Sequence, residues 1–429
     1  MAGDWEAYLD SLVAFGMRPG LERVDALLEA LGRPQQAFRS IHVVGTNGKS
    51  STTKYAEALL REHGLRSAAY LSPHITGWPE RVVIDGAPVD TDAFGRAVEQ
   101  VRAAVAALPT ALGDTTQFEV LTVAAFLAIA EAGVQAAVIE AGLGGRLDAT
   151  NVLHSPVVVL TNVALEHTEV LGDTREAIFA EKAAVIHGGD VVFGPLEGLE
   201  PLAEARCAVT GAHACLWGRE VRASGSPEAF DVTLADRLGR RAYGGLRLPT
   251  MAAYQVGNAA LAVAAVDLLL GGLNEERVRA ALAQAAVPGR LQMVRRSPVV
   301  LADGAHNPHG ARALAASLSA VDRPSPRVLL LAVMRDKAFR EMLAALLPLA
   351  DAVVCTQAAQ PRSLNAGELA SAVREVGRSQ LVTETPDPQS AYAEALRQAG
   401  AEGSVLVTGS LYLLEELAGV LAGEGEADG

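Results

Sequence analysis

The chain has 429 residues, half of them hydrophobic, with 36 Lys and Arg against 50 Asp and Glu and a formal net charge of −14. At roughly 100–200 residues per domain this length implies two or three domains, each able to bury a core, and the apolar content excludes an intrinsically disordered chain. Three cysteines, Cys207, Cys215 and Cys355, are too few for a disulfide framework and form no CxxC pair for zinc, while the acidic balance argues against a nucleic-acid partner.

Residues 1–10 are acidic and lack the basic and apolar regions of a signal peptide. The most apolar stretches, 121–130 and 261–270, fall far short of the ~20 residues that span a membrane. The expectation is a soluble, cytoplasmic monomer with no membrane or nucleic-acid partner.

Short β-branched runs alternate with Ala/Leu-rich helical stretches, which predicts an α/β fold with a mostly parallel sheet. In chain order, buried strands are expected at 41–44, 136–139, 157–160, 299–302, 328–331, 352–355 and 404–407. Several are followed by Gly, Asp, Glu or Thr, and ligands of open parallel sheets gather at the carboxyl ends of strands. Residues 204–250 are less regular and read as a β-rich excursion of the first domain. The segment 287–297, with Pro288-Gly289-Arg290 after an Ala-rich helix, reads as the boundary. The expected division is a P-loop ATPase domain over 1–290 and a smaller Rossmann-like C-terminal α/β domain over 298–429. The tail 423–429 (GEGEADG) reads as disordered.

Four loops carry candidate chemistry. Gly45-Thr46-Asn47-Gly48-Lys49-Ser50-Ser51 follows the first strand and precedes a helical pattern over 53–62. Strand, glycine loop and helix N-terminus together build an anion site from backbone N–H groups, to which Lys49 adds a point charge. The strict GxxxxGK[ST] pattern is not met, because Val43 stands five before Gly48. Glu140, at the next strand end, opens EAGLGGRLDATN (140–151) and is placed where a magnesium-holding acid belongs. Glu166-His167 follows the strand at 157–160, and Lys182, in EKAAVI (181–186), reads on its own pattern as a surface helix lysine. Asp303-Gly304-Ala305-His306-Asn307-Pro308 packs acid, imidazole and amide into one loop after the strand at 299–302. Arg290 is equally a solvated linker arginine or a phosphate or ribose contact between domains.

Taken together, GTNGKS (45–50), LSPH (71–74), ER (80–81), FE (118–119), EAGLGGRLDATN (140–151), LEHTEVLG (165–172), EKAAVI (181–186), PGRLQ (288–292), DGAHNP (303–308) and GSLYL (409–413) resemble the folylpolyglutamate synthase/dihydrofolate synthase family of the Mur-ligase-like group. The resemblance implies an ATP-dependent amide ligase of folate biosynthesis. ATP phosphorylates a carboxylate of dihydropteroate, a tetrahydrofolate, or both, and the amine of L-glutamate displaces phosphate from the acyl phosphate. It further implies that Gly45, Thr46, Asn47, Gly48, Lys49, Ser50 and Ser51 cradle the phosphates, with Asn258, Arg290 and Asp303 at nucleotide-binding positions and His306 near them as a catalytic candidate. Ser72, Glu140 and His167 would hold magnesium, with a second magnesium site beside the first. Lys182 matches a lysine that carbon dioxide carbamylates, and Thr116 and Asp148 match positions near the pterin.

Four residues depart from the family pattern. Ser50 replaces a glycine, so Ser50 or Ser51 is the hydroxyl nearest magnesium; Glu166 replaces Asp, Tyr254 replaces a frequent His, and Ala184 replaces Gly. Two other functions fit the sequence less well. A P-loop switch leaves DGAHNP and PGR unexplained and the chain has no NKxD. A Mur-type ligase of cell-wall precursors is expected to need more than the ~40 residues that precede the first strand.

Overall fold

The computed structural model describes residues 4–12, 20–74, 77–237, 239–377 and 381–421; the tail expected to be disordered lies outside them. The chain divides into two units, one of residues 1–225, 229–247 and 257–285 and one of residues 226–228, 248–256 and 286–429.

The first unit is built on eight strands: β1 (Arg39–Val44), β2 (Ser67–Tyr70), β3 (Val82–Ile84), β4 (Ala87–Pro88), β5 (Ala136–Glu140), β6 (Val157–Leu160), β7 (Asp190–Phe193) and β8 (His213–Leu216). Their order is β4-β3-β2-β5-β1-β6-β7-β8, parallel except where β3 joins β2 and β4. β1 lies between β5 and β6, with Val43 opposite Glu140 and Val44 opposite Leu160. The chain leaves β1 toward one edge, returns through β5 and crosses to β6. The loops after these three strands therefore share one end of the sheet, the switch point where an open α/β sheet binds its ligand.

β5 and β6 are buried along their whole length, as strands covered by helices on both faces must be. One core joins Leu27, Phe94, Phe126, Tyr70 and Ile139, and another joins Val158, Leu160, Ile178 and Phe193. The helix Gln117–Glu131 is apolar almost all round, and Thr116 and Glu119 close its start in a reciprocal capping box. Buried Arg23 adds a salt bridge to Glu119 at 2.7 Å.

Three strands, β9 (Val221–Ser226), β10 (Ala229–Asp236) and β11 (Gly239–Leu246), form a separate sheet in which β10 and β11 are antiparallel, the β-rich excursion seen in the sequence. Tyr243 and Arg241 on β11 reach buried Asp267 on the helix Tyr254–Leu270.

The second unit holds β12 (Gln292–Arg296), β13 (Val299–Ala302), β14 (Arg327–Leu331), β15 (Ala352–Cys355), β16 (Leu381–Glu384) and β17 (Ser404–Thr408), in the order β12-β13-β17-β14-β15-β16. Only β12 is antiparallel. Where the sequence reads a boundary segment, residues 292–296 are thus an edge strand, hidden because three of its five residues are exposed. Among the described residues no helix is long and apolar enough to cross a membrane.

Candidate functional site

The glycine loop grows directly out of β1. The helix expected from 53 begins at Lys49, because Gly48 is its N-cap with φ 84°, a backbone state that only glycine adopts without strain. A Cβ on Gly48 would also stand 2.3 Å from Asn258 Oδ1, so the nucleotide-site candidate Asn258 closes over the loop. The segment after β6 clamps the loop from the other side. Thr46 N donates to Asn162 O (3.0 Å), Asn47 N donates to Asn162 Oδ1 (3.0 Å), and Thr161 Oγ1 donates to Asn47 O (2.7 Å). Thr161 and Asn162 were not expected among the site residues; their signal was their place at a strand end.

Lys49 folds back on its own loop, its Nζ donating to Gly45 O at 3.1 Å and Thr46 O at 3.2 Å. Lys182 reaches the same carbonyl, Nζ to Gly45 O at 3.0 Å. The surface position that the local pattern suggests for Lys182 is wrong: the residue is 4% exposed. Burial, and then the charge of Lys49, pull its amine down to about 7, against the opposing effect of Glu166 and Asp148. The turn beside it explains how a lysine is buried here. Gly145 lies against the helix Arg175–Ala183 so closely that a Cβ would meet Glu181 O at 2.6 Å and Lys182 Cα at 3.0 Å. Arg206 holds the far end of that helix, donating to the carbonyls of Ala183, Ala184 and Ile186. No local signal marks Arg206, since its partners lie some twenty residues back.

Glu140 joins two of the candidate loops. Its Oε1 accepts from Ser50 Oγ at 2.9 Å and its Oε2 from Ser72 N at 3.2 Å. Of the two candidate hydroxyls, Ser50 bonds the acid, and Ser51 is almost completely buried. His167, with φ 53°, stands 3.9 Å from Glu166. Among the described residues no three His, Cys, Asp or Glu side chains gather into a metal-binding group. The Glu140 carboxylate and the Ser50 hydroxyl nonetheless suit magnesium, a hard cation that takes few protein ligands and completes its shell with phosphate oxygens and water.

On the β5 side, Phe118 lies over Gly142, where a Cβ would meet its ring at 2.6 Å. Thr116 spends its hydroxyl as an acceptor for Glu119 N at 3.2 Å. Asp148 is buried and its carboxyl is raised by that burial; Thr150 N and Leu143 N donate to its two oxygens. His74 packs edge-on against Trp78 at 4.5 Å and Arg81 lies 5.1 Å over the Trp78 ring, while Arg81 Nε donates to His74 Nδ1 at 2.8 Å.

A second cluster lies within the second unit. Asp303 is 2% exposed and accepts from Tyr254 OH (2.6 Å), Leu291 N (2.8 Å) and Ala305 N (2.8 Å); burial raises its carboxyl and the Arg290 charge opposes this. Leu291 has φ 46°, so Asp303 holds the turn that carries Arg290. His306 Nδ1 pairs with Gly304 O at 2.9 Å, and Asn307 caps the helix Pro308–Ser319. The tyrosine that replaces a frequent histidine is therefore the hydroxyl donor to this acid.

Residues 43–189 match the Mur ligase middle domain and residues 289–411 the Mur ligase glutamate ligase domain. The chain is 32% identical over 429 residues to the dihydrofolate synthase/folylpolyglutamate synthase of Bacillus subtilis, covering 96% of this chain and 97% of that one. Escherichia coli FolC in complex with DHPP and ADP superposes with a TM-score of 0.88 at 30% identity, covering 98% of this chain and 97% of the other. A bifunctional folylpolyglutamate synthase/dihydrofolate synthase with Mn, AMPPNP and L-glutamate bound gives a TM-score of 0.85 at 31% identity, covering 97% of each. The chain belongs to the dihydrofolate synthase/folylpolyglutamate synthase family of Mur ligases.

Proposed function

We propose that this chain is an ATP-dependent ligase that joins L-glutamate to a carboxylate of dihydropteroate, of reduced folyl-polyglutamate, or of both. The observation that carries the reading is the meeting of three loops at one sheet end: the glycine loop after β1, Ser72 after β2 and Glu140 at the end of β5. A carboxylate is a poor acyl donor in water, and phosphorylation by ATP gives it a leaving group. The glutamate amine then forms the new C–N bond as the acyl C–O bond breaks, inorganic phosphate leaves and the amine nitrogen gives up a proton. The protein's part is to position the partners and neutralise charge.

In this reading the first unit is the ATPase domain and the second the smaller Rossmann-like domain. Residues 45–51 take the phosphates, with Lys49 moving from its loop carbonyls to the β/γ end, and Asn258, Arg290 and Asp303 serve the nucleotide. Asp303 acts through the Arg290 turn, its own oxygens being occupied. Ser72, Glu140 and His167, with Ser50, would hold magnesium, which neutralises phosphate charge when bound; a second ion beside it belongs to the same proposal. Neutral Lys182 adds to carbon dioxide, forming an N–C bond and releasing a proton, which turns a buried neutral amine into an anion beside the proposed metal site. His306 is the catalytic candidate of the second unit, and Thr116 and Asp148 border the pterin.

The test is ADP release measured side by side with dihydropteroate and tetrahydrofolate as glutamate acceptors. Release that requires both glutamate and one of these acceptors supports the reading. Activity with a UDP-muramoyl substrate and none with either pteridine would replace it by a cell-wall ligase.

A further inference from the structure

One buried chain of hydrogen bonds runs behind the site. His42 lies on β1, three residues before the glycine loop, and is fully buried. Its Nε2 stands 2.8 Å from Thr150 Oγ1, which in turn bonds Asp148 Oδ1. Asp148 also accepts from Thr150 N at 3.0 Å and Leu143 N at 2.8 Å. A hydroxyl has one proton, and an ionised carboxylate only accepts. Thr150 gives its proton to Asp148 and must therefore accept from an Nε2–H on His42. The other ring nitrogen, Nδ1, is left as a bare lone pair, and it is buried with no partner among the described residues.

We propose that His42 is a positioning residue, a permanently neutral Nε2–H donor that acts through Thr150 to hold Asp148, and with it the 142–148 turn, in register with the phosphate loop. β1 carries that loop at its carboxyl end and His42 within it, so one strand sets both. The turn is the piece of backbone that Phe118 covers at Gly142 and that packs on Lys182 at Gly145. An apolar side chain on β1 would avoid the orphaned Nδ1, so the donor end of the ring must supply what the position needs. Burial and the neighbouring His187 hold the imidazole neutral, down to about 3. The assignment of this turn to the acceptor side rests on the function proposed above.

Long-range proton–nitrogen spectra of the whole protein labelled with 15N-histidine read the tautomer, and His42→Gln identifies the resonance. The expected result is an Nε2–H imidazole whose shifts stay constant from about pH 5.5 to 8.5. Kinetically, Thr150→Val and His42→Met should raise KM for the glutamate acceptor about tenfold and leave KM for ATP within about twofold. Thr150→Ser and His42→Gln, which keep the hydroxyl and a donor near Nε2, should recover to within about threefold of wild type. An Nδ1–H or titrating ring, equal losses in the Val and Ser variants, or a parallel rise in both KM values would overturn the proposal. Should His42→Met not accumulate as folded protein, the wild-type spectrum and the Thr150 pair still decide. If wild type uses neither pteridine, the ligase reading fails while the tautomer measurement stands on its own.

Discussion

Replacing Lys182 with methionine should make the protein more stable below neutral pH while abolishing its turnover. The lysine is 4% exposed and its amine is lowered from 10.5 to about 7. Below pH 7 folded and unfolded chains both carry the proton, so the full cost of a buried cation falls on the folded state. Between pH 7 and 10.5 the unfolded chain binds a proton that the folded chain does not, and stability rises with pH across that window. The difference, 10.5 − 7 = 3.5, sets an upper bound of about 5 kcal/mol. Methionine fills a similar volume without charge and gives up only the 3.0 Å bond to Gly45 O. The variant should gain roughly 2–3 kcal/mol over wild type at about pH 6 and lose that advantage by about pH 10. Urea unfolding in carbon dioxide-free buffer at several pH values measures this. A variant less stable than wild type in acid, or a stability difference that does not change with pH, would refute the burial argument.

Three further outcomes follow from the same geometry. Carbon-13 bicarbonate should give a carbamate resonance that vanishes in Lys182→Ala, whose lost activity short-chain carboxylates partly restore; full activity in that variant would dispose of the carbamate. Glu140→Gln and His167→Ala should lower turnover about 10²-fold or more, with near-normal rates removing either side chain from the metal site. Tyr254→Phe takes a donor from buried Asp303, which should cost about 1–2 kcal/mol in denaturant unfolding and raise KM for ATP about threefold; unchanged values in both would leave the hydroxyl without a role.

In the sheet that carries the site, β6 was legible as an unbroken Val/Leu run ending against Thr161, and in the second sheet β13 was legible as a Val-Val-Leu-Ala run ending against Asp303, residues of the kind that punctuate parallel strands. β2 escaped notice because Ser67-Ala68-Ala69-Tyr70 is buried by its neighbours rather than by its own hydrophobicity, and β16 because Leu381 is 62% exposed. The glycine loop and Glu140 were readable for the same reason as the strands they follow. What a single chain direction does not reveal is partnership at long range. Lys182 looks like any helix lysine until its bond to a carbonyl 137 residues away is seen, and Asp303 looks like a ligand until Tyr254, 49 residues earlier, is found on it.

In the function proposed above, Lys49 makes nucleotide entry an exchange and not a simple docking. Its ammonium is already shared between Gly45 O and Thr46 O, so the phosphate chain must win it from two backbone acceptors. That competition subtracts from intrinsic affinity, yet it keeps the loop shaped before its ligand arrives, so arrival need not wait for the backbone to order. A nucleotide lacking its terminal phosphate offers less with which to draw the ammonium away. On that reading the side chain's resting place would favour triphosphate over diphosphate, through the loop's own carbonyls.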